Sequence, residues 1–275
     1  MTTDVGTDDP GSKFSQAVTA ATRLPGVRID RAAYLRASLR RYCTEEQIAA
    51  SIADSPAAAG VPLEVVISIA NASITLETGK VTGASTLAGI PGGFAMLGTV
   101  PADLAQYLGH MLRITQKLAY IYSWPDLFTD DGDEVDDATA GMLTLFIGVM
   151  FGVNAAQGGV AKVSQSMAAQ LARQLPRQAL THGTVYPIVK KVSSKLGIRM
   201  TTGIFANGVS KAVPVIGAVV SGGLTLAAFL PMAKKLQKHL AGLELTKPGL
   251  RAEQGATIIV DLDDDGAGDV HAPLP

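Results

Sequence analysis

Residues 136–162 read DDATAGMLTLFIGVMFGVNAAQGGVAK, and the reading of this stretch decides the fold. Between Asp137 and Lys162 lie 24 residues without a single charge. A helix that spans a bilayer needs about 20 apolar residues, so length alone admits a span. Asn154 and Gln157 argue against one. Gly148 and Gly152 form a G-x-x-x-G pattern, which lets helix backbones approach closely in lipid and in tightly packed soluble bundles. Buried core helices are therefore the first reading, interfacial or partly inserted hairpins the second, and complete spans the third.

Two more uncharged runs repeat the question. Val81–Ala102 is interrupted by Pro91-Gly92-Gly93, which makes one continuous helix across it unexpected. Ala212–Ala233 contains Pro214 and Ser221-Gly222-Gly223. All three runs draw on small residues: Gly numbers 29 of 275, and aromatics are only 5%.

Outside these runs the chain reads as short capped helices. Asp30 caps a helix through Leu35 to Tyr42. Thr44 with Gln47 is a capping box, and Ser55-Pro56 ends the helix it starts. Pro62 suits the first turn of a long helix holding Val66, Ile69 and Ile74. Pro101 opens another, to about Tyr122. Asp136 and Asp137 stand where a helix dipole favours negative charge. Further helices are expected over Lys162–Leu175, Tyr186–Lys195 and Thr201–Lys211, and the third uncharged run passes into Lys234, Lys235, Lys238 and His239 in a helix that ends at Gly242. No period-two strand series appears. The fold class is all-α, a multi-helix bundle of Gly-rich, tightly packed apolar helices or hairpins. Residues 1–11 are expected to be disordered, 12–245 to form a single helical domain, and 246–275 to be a disordered acidic tail.

Charge is unevenly spread. From Ala138 to Leu243, 106 residues contain no Asp or Glu but eleven Lys and Arg. The remainder carries all 24 acids, so the net charge of −1 hides a basic half. Basic surface beside apolar helix is what an anionic bilayer attracts. Lys190, Lys191, Lys195, Arg199, Lys211, Lys234, Lys235 and Lys238 are the candidate contacts to lipid headgroups or to an acidic partner. Nucleic acid is disfavoured, because the cations are sparse and no stacking aromatics accompany them.

Catalytic signatures are missing: there is no P-loop, dinucleotide fingerprint, H-E-x-x-H or nucleophile elbow. Four histidines are scattered without metal-ligand spacing, and Cys43 is alone, so neither a metal site nor a cofactor is expected. One stripe is enzyme-like. Asp103, Gln106, His110, Arg113 and Lys117 follow one another at steps of 3 and 4 on one helix face. They make either an acid/base or headgroup-binding line in an apolar groove, or a solvated face. In the tail, Asp261-Leu262-Asp263-Asp264-Asp265-Gly266 opens like a calcium loop, but Ala272 stands where the bidentate Glu belongs. The Thr257–Asp265 segment could add as a strand to a protein partner.

Pro91-Gly92-Gly93, then Pro101-Ala102-Asp103-Leu104 leading to Ala119-Tyr120-Ile121-Tyr122, resembles the central block of the EcsC protein family. Val213-Pro214-Val215-Ile216-Gly217-Ala218 through Gly223 resembles that family's Gly-rich C-terminal block. The likeness covers about residues 62–240. Ser123-Trp124-Pro125 departs from the Gly-Tyr type of junction that often follows the central helix in the family. The resemblance implies a bacterial protein without an established activity, from a family named for an operon that also encodes an ABC transporter. It supplies no catalytic residues.

The residues together lead to a non-enzymatic, membrane-associated helical protein that contacts anionic lipid from the cytoplasmic side. It would be peripheral to the inner membrane or partly inserted. A soluble protein-binding scaffold is the alternative, and an enzyme centred on Asp103 and His110 a third.

Overall fold

The computed structural model describes residues 9–83, 102–128, 135–169, 174–205 and 223–247. Every regular element among them is helical. In chain order these are α1 (Pro10–Thr22), α2 (Arg31–Leu39), α3 (Glu45–Ala53), α4 (Leu63–Gly83) and α5 (Ala102–Ile121). There follow α6 (Asp137–Met150), α7 (Asn154–Ala169), α8 (Arg177–Thr181), α9 (Tyr186–Phe205) and α10 (Gly223–Ala241), then a 3-10 turn at Glu244–Thr246.

Local chemistry starts several of these helices. The Asp30 carboxylate accepts the Ala33 N–H at 2.8 Å and starts α2. Thr44 and Gln47 exchange side-chain and backbone hydrogen bonds at 3.2 and 3.3 Å as a capping box. Asp136 takes the N–H groups of Ala138 and Thr139 at 2.9 and 3.0 Å. It also pairs with Arg177 at 2.8 Å, tying the start of α8 to the start of α6. The carboxylate of Asp9 and the fixed φ of Pro10 start α1, two residues inside the segment expected to be disordered.

The uncharged run 138–161 is not one helix. It breaks at Phe151–Val153, where Gly152 takes φ +71°. The Val153 N–H reaches the Gly148 carbonyl at 2.8 Å, and the Gly152 N–H reaches Val149 at 2.9 Å. That pairing is a Schellman termination, which needs a left-handed residue where Gly152 stands. What precedes it, α6, is the centre of the molecule. Of its residues from Ala138 to Met150, all but Ala140 are buried. It packs against α1, α5, α7, α8, α9 and α10. A helix enclosed on all sides needs no polar face. Its 14 residues reach about 21 Å, short of the ~30 Å hydrocarbon core. None of the described helices is long and apolar enough to cross a membrane, which removes the complete-span reading for this run.

The G-x-x-x-G pattern dissolves with the run. A Cβ on Gly148 would stand 2.6 Å from Val192 and 2.7 Å from Ala156, so this glycine lets α7 and α9 close on α6. Gly152 makes the turn.

Two helices were expected between Tyr186 and Lys211, yet α9 runs unbroken from Tyr186 to Phe205. Gly197 does not end it. A side chain there would overlap the Pro10 carbonyl of α1, so this glycine serves a close crossing with a helix far away in sequence. At the other end, Leu245 and Thr246 are buried, and the Thr246 hydroxyl donates to the Leu243 carbonyl at 2.7 Å. The helical body therefore takes in Thr246, the first residue assigned to the tail.

Candidate functional site

Arg113 and Lys117 of the α5 stripe face α4. In α4, Glu77 is the one acid after Glu64, and its side chain is wholly buried. Arg113 grips it with two bonds, Nε to Oε2 at 3.0 Å and Nη2 to Oε1 at 3.2 Å. The Lys117 Nζ stands 2.6 Å from Oε1, and the Lys80 Nζ 3.5 Å from it. Arg113 also donates through Nη1 to the Gly26 carbonyl, in the loop between α1 and α2. Lys117 lies over the Tyr34 ring, 5.7 Å from its centroid, and the Tyr34 hydroxyl shares a 2.9 Å hydrogen bond with Ser73. One carboxylate thus joins α4, α5, α2 and the 23–29 loop.

Burial pushes the Glu77 carboxyl up, but hydrogen bonds and charge from Arg113 and Lys117 outweigh it and hold the pKa at about 2, against an ordinary 4.5. Burial also raises the Tyr34 hydroxyl, where it prevails and takes the pKa to about 12. His110, one turn before Arg113, is half-buried, and its Nδ1 is buried without a hydrogen-bond partner. Burial lowers its pKa; Glu77 opposes this, while Arg113 and Lys80 add to it.

At Arg113 and Lys117 the stripe is therefore neither a solvated face nor an open groove lined by acid and base. Arg113 and Lys117 turn inward onto a carboxylate. His110 lies beside the cluster. Asp103 and Gln106 lie in the first two turns of α5, where the backbone alone is described. Gln116, absent from the stripe, fastens the loop: it accepts the Ile29 N–H at 2.8 Å and donates to the Val27 carbonyl at 3.0 Å. Sequence reasoning also passed over Glu77. Its signal was an acid set among apolar residues in the second half of α4, which calls for a buried partner. Arg31 was likewise missed. It is buried, and it donates to the carbonyls of Ser51, Ile52, Asp54 and Trp124.

The basic candidates fall into two groups. Lys190, Lys191, Lys195 and Arg199 all lie on the exposed side of α9, together with Tyr186 and Ile198. Ile198 is 49% exposed, unusual for a branched aliphatic residue. Arg199 reaches back through Nη1 to the Phe151 carbonyl at 2.9 Å, at the end of α6. On α10, Lys234, Lys235 and Lys238 are exposed. Lys234 bonds Asn71 of α4 and, at 3.0 Å, the Gln237 side chain. Lys235 approaches the α6–α7 turn, where a Cβ on Gly152 would stand 3.7 Å from its Nζ. The fold thus brings Arg199 and Lys235, 36 positions apart, to the same turn. Among the described residues, none of Lys190, Lys191, Lys195, Lys234, Lys235 and Lys238 is paired with a carboxylate. Lys211, most of the acidic 130–137 loop and the Thr257–Asp265 segment lie outside the described residues.

Among the described residues, no three His, Cys, Asp or Glu side chains gather as a metal site would require. No family model, curated protein or solved structure matches the chain. The EcsC resemblance rests on its quoted sequence blocks.

Proposed function

We propose that this protein is a non-enzymatic helical protein that binds the surface of anionic membranes, with the exposed side of α9 as its principal contact. The observation that carries this reading is the makeup of that side. Four cations, Lys190, Lys191, Lys195 and Arg199, surround an exposed Ile198, with Tyr186 at one end. Apolar residues set among Lys and Arg on one helix face suit a bilayer interface. The lysine stems lie along the acyl boundary while their ammonium groups meet headgroups. The 106-residue segment without acids places no carboxylate near these cations in sequence.

Vesicle flotation tests it. On phosphatidylcholine vesicles containing phosphatidylserine, the protein should float at low salt and be released at high salt, because exposed charges are screened within a Debye length. Each near-surface Lys contributes about 1 kcal/mol. Replacing Lys190, Lys191 and Lys195 by Gln should therefore lower partitioning by roughly a hundredfold. A wild-type protein that never leaves the bottom fraction at low salt would reject membrane binding. Unchanged flotation of the triple variant would reject this face as the contact.

A further inference from the structure

We propose that Lys80, His110 and Arg113 form a binding site for a phosphate-type oxyanion at the outer rim of the Glu77 cluster. This site is separate from the α9 face and does not rest on membrane binding.

The argument begins with charge. Three cations, Lys80, Arg113 and Lys117, meet one carboxylate. Among the described residues, that is a surplus of two positive charges in a place only partly open to water. Uncompensated charge there is costly unless an anion shares it. The three are graded from inside to outside: the Lys117 side chain is 10% exposed, Arg113 21% and Lys80 49%. The cluster therefore opens on the Lys80 side.

Donors point to the same place. A guanidinium has five N–H groups and an ammonium three. Arg113 commits two to Glu77 and one to Gly26, which leaves two. Lys80 holds Glu77 only loosely, at 3.5 Å, whereas Lys117 holds it at 2.6 Å. The Nδ1 of His110 has no partner, and the ring lies within electrostatic reach of Lys80, Arg113 and Glu77. Lys80 and Arg113 thus bring unused donors to the Glu77 carboxylate, and helical spacing sets the unpartnered ring nitrogen of His110 one turn from Arg113. A tetrahedral, doubly charged oxyanion matches both the surplus charge and the spread of donors. A monocarboxylate would leave one charge unmatched. The shared chemistry is a terminal phosphate, either on a soluble monoester or on a lipid headgroup.

The test uses the full chain. Inorganic phosphate is titrated at constant ionic strength, with chloride as the counter-series, while the His110 imidazole signals are followed by NMR. A saturable shift of His110 with phosphate and not with chloride is expected. Lys80→Gln, a change at a half-exposed side chain, should weaken that binding at least tenfold and leave the melting temperature essentially unchanged. No saturable response, or equal affinity in Lys80→Gln, would overturn the site. Phosphatidylcholine vesicles containing phosphatidic acid then identify the source. If they compete with phosphate for His110, the ligand is a headgroup phosphate; if they do not, it is a soluble monoester. Flotation of Lys80→Gln on phosphatidylserine vesicles should match wild type, so this site and the α9 contact can fail independently.

Discussion

Two helix faces carry cations in this molecule, and they treat them in opposite ways. On α5, Arg113 and Lys117 turn inward and share the buried Glu77. On α9, Lys190, Lys191 and Lys195 are exposed, and among the described residues none of them pairs with a carboxylate. The sequence signs are alike, a few basic residues at helical spacing. What separates them is the opposing helix. Next to α5, α4 sets Glu77 against the cations; among the described residues, the helices against which α9 packs, α1, α6, α7 and α8, set no carboxylate against its lysines. A cation's role here is set by its neighbour in space.

The strongest way to break this comparison is to remove the shared carboxylate. Glu77→Gln leaves Arg113 and Lys117 without their counter-charge, and breaking a buried pair costs about 3–5 kcal/mol. Denaturant unfolding should report a loss of that order. A loss under about 1 kcal/mol would show that the cluster is solvated after all.

Acid should act next most strongly. The folded pKa of Glu77 is depressed to about 2 from 4.5, so its contribution is present above about pH 4.5 and lost as pH falls toward 2. By linkage that contribution is about 3 kcal/mol. Wild type should lose more stability between pH 5 and pH 2.5 than Glu77→Gln does. Parallel pH profiles would sink the assignment.

A smaller change sharpens the picture from the edge of the cluster. Tyr34→Phe keeps the ring under Lys117 but removes the hydroxyl that pairs with the buried Ser73. A loss of about 1–2 kcal/mol is expected, since Ser73 is left unsatisfied. A neutral result would mean that water replaces the hydroxyl.

The smallest effect belongs to α9. Exchanging Lys190, Lys191 and Lys195 for Gln should move stability by no more than about 0.5 kcal/mol, because exposed unpaired charges do little for the fold. A calorimetric scan of this variant beside Glu77→Gln sets the two faces against each other. A large drop in its melting temperature would erase the distinction.

Several features that depend on neighbours in sequence could be read directly. The caps at Asp30, Thr44 with Gln47, and Asp136 are local hydrogen bonds, and each stands where its spacing predicts. The all-helical class followed from periodicity and from the lack of alternation. Contacts between distant segments could not be read. Two helices were expected where α9 is one, and the reason Gly197 is glycine, the Pro10 carbonyl, lies 187 positions away. Gly152 looked like part of a packing motif because the turn it makes lies inside an apolar run. The α5 stripe was visible as a stripe, but periodicity marks a face without saying what it meets. Glu77 was the missing half, and a single acid among apolar residues leaves no pattern.

The packing of α1 along α9 also has a consequence in time. These helices lie against each other although more than 160 residues separate the end of one from the start of the other. Ribosomes add about 5–20 residues each second. The first helix therefore leaves the tunnel on the order of ten seconds or more before the surface meant for it has been made. During that interval its apolar side, Phe14, Ala17, Val18 and Ala21, has no native cover from α9. The nascent chain is then most open to chaperone capture, and slowing translation between α1 and α9 should lengthen that window in proportion.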